Sequence, residues 1–136
     1  MKFIDTNVLL YSISANPQER SKRDIARSLL ESDDCALSVQ VLQEFYVQAT
    51  RPSREDRLTH ELAVGIIETW MRFPIQEITL SVFADALRIK EKHRLSYWDS
   101  GVVAAALTLG CEQLYSEDLT HGQELEGIVV LNPFRR

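Results

Sequence analysis

Four acidic residues occupy positions from which their carboxylates could act on a phosphate group. They are Asp5 at the end of KFID, Glu44 within VLQEFYV, Asp99 near the start of YWDSGVVAAALTLG, and Asp118 at the end of CEQLYSED. All four offer oxygen ligands and no cluster of His or Cys accompanies them, which favours Mg²⁺ or Mn²⁺ over Zn²⁺. Because such cations commonly take phosphate oxygens of a substrate, these residue types predict phosphodiester chemistry.

Three of these acids also have a structural explanation. Asp5 could accept backbone N–H groups at a helix start, Asp99 could form a capping box with Ser96, and Asp118 lies in a polar stretch where turns are common. Glu44 is different, because apolar residues surround it and no Lys or Arg stands three or four positions away. A carboxylate in that setting needs a cation or access to water.

The elements that must position these acids alternate between short strands and longer helices. The apolar patterns predict strands at 2–5, 35–38, 73–78, 111–118 and 127–131. They predict helices at 7–13, 19–31, 39–50, 80–93 and 97–110, and a further helix that runs from a capping box at Ser53 and Asp56 to Met71. Thr6 is the predicted N-cap of the first helix and Ser38 that of the third. This alternation predicts a three-layer α/β/α sandwich with a mainly parallel sheet.

The predicted fold brings the acids to one edge of the sheet. Ligands of such folds bind beyond the carboxyl ends of the strands, where Asp5 and Asp118 are expected. Glu44 and Asp99 belong to helices that should begin at the same edge. Four carboxylates in one place repel one another, and divalent cations would supply the compensating charge.

Composition limits the class of protein further. The net charge of −5 has the wrong sign for binding nucleic acid through the overall field, so a polyanionic substrate would need local cations. Cys35 and Cys111 lack metal-ligand spacing and are expected to be reduced. Asp5 and Asn7 interrupt the apolar N-terminus, and no stretch is apolar enough to span a bilayer, so we expect a cytoplasmic protein without membrane contact.

The ordered motifs FIDTNVLLY, VLQEFY, YWDSGVVAAA and LYSEDLTHGQ resemble those of the PIN domain, in particular the VapC-type toxins of toxin–antitoxin pairs. The resemblance implies a single PIN-like domain over residues 1–136. It implies that the acids hold Mg²⁺ (or Mn²⁺) in a metal-dependent endoribonuclease that hydrolyses RNA phosphodiester bonds, with Asn7 and Ser116 in support. The matched acids are Asp5, Glu44, Asp99 and Asp118. Glu117 is an additional acid, and the sequence leaves its orientation open.

The resemblance also implies partners. A cognate antitoxin protein would cover the acidic site, and the toxin would form a homodimer. The candidate contacts for RNA phosphates are Arg51, Arg54, His93 and Arg94, and each could instead be a solvated helix end. Tyr97 and Trp98 could stack on a base or pack against a neighbouring helix.

Three alternatives differ in function. A PIN nuclease of RNA processing would carry the same acids outside a toxin–antitoxin pair, and a non-enzymatic interaction module would use them only as caps. A receiver-like phosphoacceptor is disfavoured, because the sequence lacks adjacent acids after its first strand and a Lys at the end of a late strand.

Overall fold

A six-stranded sheet forms the centre of the computed structural model, which describes residues 1–135. The strands are β1 (Lys2–Ile4), β2 (Cys35–Ser38), β3 (Ile75–Gln76), β4 (Gln113–Tyr115), β5 (Glu124–Leu125) and β6 (Ile128–Leu131). Their order is β3-β2-β1-β4-β6-β5, and every neighbouring pair is parallel except β5 with β6. The predicted mainly parallel sheet is therefore confirmed.

Six α-helices in residues 1–135 flank this sheet in an α/β/α arrangement, as predicted. They are α1 (Thr6–Ser12), α2 (Arg20–Leu30), α3 (Val39–Ala49), α4 (His60–Trp70), α5 (Leu80–His93) and α6 (Tyr97–Leu109), with a 3₁₀ turn at Pro17–Glu19. None of these helices combines the length and apolar character that crossing a bilayer requires.

The burial pattern explains why the central elements are so apolar. All four residues of β2 are buried, as expected for a parallel strand covered on both faces. On α6, residues 100–106 are all buried, and most are small, so neighbouring elements approach closely. Cys35 and Cys111 are buried free thiols. The acid at the start of α6 is consequently carried by one of the best-packed helices of the fold.

Several boundaries differ from the sequence prediction. Asp5 rather than Thr6 is the N-cap of α1, because the Asp5 carboxylate accepts the Thr6 N–H. The strands predicted at 73–78 and 111–118 are shorter, covering only β3 and β4. The antiparallel strand β5 was not predicted, because its two residues are too few for an alternating pattern. Strand β6 begins one residue after the predicted start at 127.

The predicted capping box at Ser53 and Asp56 was wrong. Asp56 instead accepts the Ala15 N–H at 2.8 Å and pairs with Arg54, so residues 51–58 form turns. Helix α4 begins only at His60, where the Thr59 side chain accepts the Leu62 N–H.

We expect this difference to be visible in stability. Thr59→Ala should lower the free energy of unfolding by about 1 kcal/mol, because it removes the cap of α4. Ser53→Ala is the matched control and should leave the free energy nearly unchanged, which urea denaturation of both variants would measure. An equal loss in both variants would contradict the observed start of α4.

Candidate active site

Asp5 lies at the carboxyl end of the central strand β1 and is only 5% exposed. Its Oδ1 accepts the Thr6 N–H at 2.8 Å, and its Oδ2 accepts the Ser116 hydroxyl at 2.7 Å. Its own N–H donates to the carbonyl of Tyr115 at the end of β4. The ends of two parallel strands therefore fix this carboxylate at the sheet edge where the sequence predicts the site.

Asn7 joins Asp5 to the segment that follows β4. Its Nδ2 donates to Asp118 Oδ2 at 3.1 Å and to Ser116 Oγ at 3.3 Å, and lies 3.5 Å from Asp5 Oδ2. Ser116 Oγ in turn accepts the Asp118 N–H at 3.1 Å. Asn7 and Ser116 thus hold the two acids by hydrogen bonding, and their support of a catalytic site stays a prediction.

The side chain of Glu117 faces away from this network, although its backbone N–H donates to Asn7 Oδ1 at 3.2 Å. Its carboxylate forms a 2.6 Å ion pair with Lys22 and accepts the Tyr11 hydroxyl at 2.6 Å. Burial raises the pKa of Glu117, but the hydrogen bonds from Lys22 and Tyr11 outweigh burial and leave the pKa below its usual value. The sequence left the orientation of Glu117 open. Its carboxylate points to Lys22 and Tyr11, whereas the carboxylate of Asp118 accepts the side-chain amide of Asn7.

Glu44 lies in α3 and is held by a residue that the sequence analysis missed. Gln40 Nε2 donates to Glu44 Oε1 at 3.0 Å and to the Trp98 carbonyl at 2.9 Å, so it bridges α3 and the first turn of α6. A Cβ at Gly101 would lie well inside van der Waals contact with Gln40 Oε1, so Gly101 leaves room for this bridge. The spacing of four between Gln40 and Glu44 was the available signal.

Asp99 lies in the first turn of α6. Its N–H donates to Ser96 Oγ at 3.1 Å, so the predicted cap is present. Its carboxylate is half-buried and close enough to Asp118 for the charges to interact. Capping by Ser96 therefore leaves the Asp99 carboxylate at the same edge as the other acids.

The raised pKa values of Asp5, Glu44 and Asp99 indicate that these three carboxylates lack compensating charge. The pKa of Asp5 is raised to about 7, mainly by burial and also by the charges of Asp118 and Glu44, despite the hydrogen bonds from Ser116 and Thr6. Burial also raises the pKa of Glu44 and of Asp99, with added repulsion from Asp118. In residues 1–135 none of the four acids forms a salt bridge.

The donor set fits a hard divalent cation. Its ligands are all carboxylate oxygens, and the raised pKa values are those expected of acids that need positive charge. Within residues 1–135, no three acidic, His or Cys side chains lie close enough together to share one ion. Mg²⁺ commonly uses only one or two carboxylates and keeps several waters, so this wider spacing is compatible with it.

The four candidate phosphate contacts occupy different surroundings. Arg51 lines a groove that also contains Glu44, and Arg54 lines a hollow beside Asn7. His93 Nε2 lies 2.8 Å from a carboxylate oxygen of Glu126, and Arg94 is exposed with φ of 57° at the end of α5. Arg51 therefore shares a groove with Glu44, Arg54 lies near Asn7 but is paired with Asp56, and His93 helps to hold the turn between β5 and β6.

An α/β/α sandwich with a mainly parallel central sheet, and with acids at the carboxyl ends of its strands, is the architecture of PIN-type proteins. The family model described as "PIN domain" matches residues 2–121, and the chain belongs to this family. No curated protein sequence matches at a significant level.

Solved structures share the fold. A chain of a toxin–antitoxin complex from Klebsiella pneumoniae is 18% identical with a TM-score of 0.74, and the match covers 100% of both chains. VapC20 of Mycobacterium tuberculosis, a toxin that cleaves the sarcin–ricin loop, is 18% identical with a TM-score of 0.68, over 87% of this chain and 92% of that one. A chain of VapBC2 of Rickettsia felis, bound to a promoter DNA fragment, is 14% identical with a TM-score of 0.64, over 95% of this chain and 96% of that one.

The raised pKa of Asp5 predicts how stability depends on pH. A group whose pKa rises from 3.8 to about 7 on folding stabilises the fold below pH 4, and this contribution is lost as the pH rises to 7. In EDTA, the melting temperature of the wild type should therefore decrease as the pH is raised from 5 to 8, and that of Asp5→Asn should decrease less. Asp33→Asn, at an exposed position, should behave as the wild type, and parallel curves for wild type and Asp5→Asn would contradict the assignment.

A double-mutant cycle tests the bridge formed by Gln40. Gly101→Ala should displace the Gln40 amide and lose its hydrogen bonds, offsetting the helix stabilisation of up to about 1 kcal/mol that Ala normally brings. In the Gln40→Ala background that stabilisation should reappear in urea denaturation. Gly65→Ala, where a Cβ meets nothing, is the control. Equal effects of Gly101→Ala in both backgrounds would refute the bridge.

Proposed function

We propose that the chain is a metal-dependent endoribonuclease and the toxin of a toxin–antitoxin pair. The observation that carries this proposal is the set of carboxylates at the carboxyl edge, which lack any salt bridge in residues 1–135 and include one acid with a pKa of about 7. Membership of the PIN family and the similarity in fold to VapC toxins support the same activity.

The residues that would hold Mg²⁺ or Mn²⁺ are Asp5, Glu44, Asp99 and Asp118. When bound, the cation would offset negative charge on the phosphate and lower the pKa of the attacking water. The chain supplies orientation: Thr6 and Ser116 fix the Asp5 carboxylate, and Asn7 fixes Asp118. On the opposite side Gln40 fixes Glu44. Such positioning reduces the reorganisation needed when charge develops on the phosphate.

The expected partners follow from charge and exposed surface. An acidic site attracts a cationic segment, which is the chemistry an antitoxin needs to cover it. Solved relatives include a toxin–antitoxin complex and a VapBC assembly on DNA. The exposed apolar side chains of Leu80, Phe83 and Leu87 recur along α5 and support a homodimer. We expect the activity in the cytoplasm, where the proposed RNA substrate would be encountered.

The test is cleavage of labelled single-stranded RNA by protein purified without a partner, in Mg²⁺, in Mn²⁺ and in EDTA. We expect cleavage only with metal, and a loss of about a hundredfold or more in Asp99→Asn and Asp118→Asn, because several kcal/mol of charge stabilisation would be removed.

Glu117→Gln is the matched control for Asp118→Asn. It removes one charge at the adjacent position, but its side chain faces Lys22 and Tyr11, so it should keep most of the wild-type rate. Cleavage that persists in EDTA, or that survives in Asp99→Asn, would rule out the proposed site. Circular dichroism of each variant shows whether a lost rate reflects a lost fold.

A further inference from the structure

A groove beside the acidic site contains residues that the proposed catalytic arrangement does not use. It has a volume of about 520 Å³ and lies between α3 and the start of α6. We call it the Trp98 groove; its lining includes Gln40, Glu44, Val47, Gln48, Arg51 and Trp98. Because Glu44 belongs to both the groove and the acidic site, a ligand in the groove would extend directly to the acids.

Trp98 presents an aromatic surface that the fold leaves uncovered. The residue is 64% exposed, although burial of an indole ring is normally favourable. Its ring makes an edge contact with the Tyr97 ring, with 5.1 Å between the ring centroids, and the Tyr97 and Phe83 ring centroids are 6.0 Å apart. The Trp98 carbonyl accepts a hydrogen bond from Gln40. Tyr97 therefore packs against one edge of the Trp98 ring and Gln40 holds its backbone carbonyl, while much of the ring surface is open to a ligand.

Arg51 supplies a cation at the far end of the same groove. Glu44, Val47 and Gln48 lie on one face of α3, and Arg51 follows Thr50, the C-cap of this helix, so Arg51 lines the groove beyond the end of α3. Arg51 is exposed and, within residues 1–135, has no carboxylate partner at ion-pair distance. It is consequently available to an anionic ligand.

We propose that the Trp98 groove binds a single-stranded segment of the RNA substrate, with a base stacked on Trp98 and a neighbouring phosphate at Arg51. This inference rests on the proposed function and assigns the strand a path away from the acids. Stacking and phosphate contacts are the two interactions by which proteins bind single strands without reading a full sequence. The Gln48 amide adds a donor and an acceptor for a base edge.

Charge favours RNA over a protein segment in this groove. An antitoxin segment that neutralises the acids would be cationic, and Arg51 would repel it. A nucleic-acid strand has the opposite sign and would be attracted by Arg51, while a cation at the acids would accept the phosphate that reaches them. The aromatic ring and the arginine together therefore match a single strand better than a basic peptide.

The experiment measures binding separately from cleavage. Fluorescence anisotropy of a labelled ten-nucleotide oligouridylate would be recorded in Ca²⁺ and in EDTA, with gel analysis to show that the probe stays intact. Trp98→Ala should weaken binding by about tenfold or more, and Trp98→Phe should retain most of the affinity because a ring face remains. Arg51→Ala should weaken binding and reduce the dependence of log K on log salt by about 0.7.

Lys90→Ala is the control for charge, because Lys90 is an exposed cation on α5 that does not line the groove. It should leave affinity nearly unchanged, and circular dichroism checks the fold of every variant. Binding that depends on Trp98 and Arg51 supports the inference even if no metal allows cleavage, in which case only the nuclease proposal fails.

Other results would overturn the inference while leaving the nuclease proposal intact. One such result is that the wild type cleaves RNA while Trp98→Ala binds the probe as tightly as the wild type. Another is that Lys90→Ala loses as much RNA affinity as Arg51→Ala. Unchanged RNA affinity in Trp98→Ala with weaker binding of an oligolysine peptide would assign the groove to a protein partner instead.

Discussion

Burial of the Asp5 carboxylate is the constraint on which the candidate site depends. The central strand ends at this residue, and Phe3, Ile4, Val8 and Leu9 beside it are fully buried. Two close hydrogen bonds satisfy its oxygens but do not cancel the cost of removing a charge from water, which is why its pKa reaches about 7. A neighbouring Lys or Arg would remove that cost, so the absence of a salt bridge to Asp5 within residues 1–135 leaves the site able to attract a mobile cation.

Two adjacent acids after β4 show how environment separates a paired carboxylate from one that lacks a cationic partner. Glu117 is paired with Lys22 and Tyr11, and its pKa is lowered. Asp118 has the opposite surroundings, because Asn7 is its side-chain donor and the charges around it are negative. The pairing of Glu117 fixes the loop, and this leaves Asp118 directed toward the other acids.

The sequence predicted those parts of the fold whose signals are local. The caps at Ser38 and Ser96 and the helices α5 and α6 follow from neighbouring residues, and so does the position of Asp5 at a strand end. The predicted start of α4 was wrong because the Asp56 carboxylate accepts the backbone N–H of Ala15, which is 41 residues away in the sequence. The Gln40 bridge was missed for the same reason, since its second acceptor is the distant Trp98 carbonyl.

The acids form two halves with separate supports. Asp5 and Asp118 are linked through Ser116 and Asn7, whereas Glu44 is linked through Gln40 to the helix that carries Asp99. Among the hydrogen bonds of residues 1–135, none joins a carboxylate of one half to a carboxylate of the other, and the charges acting between the halves are repulsive. Repulsion favours the wide spacing of the carboxylates. Asp5 and Asp118 in one half and Glu44 and Asp99 in the other are the residues that would hold a divalent cation, and its positive charge would offset the repulsion between the halves.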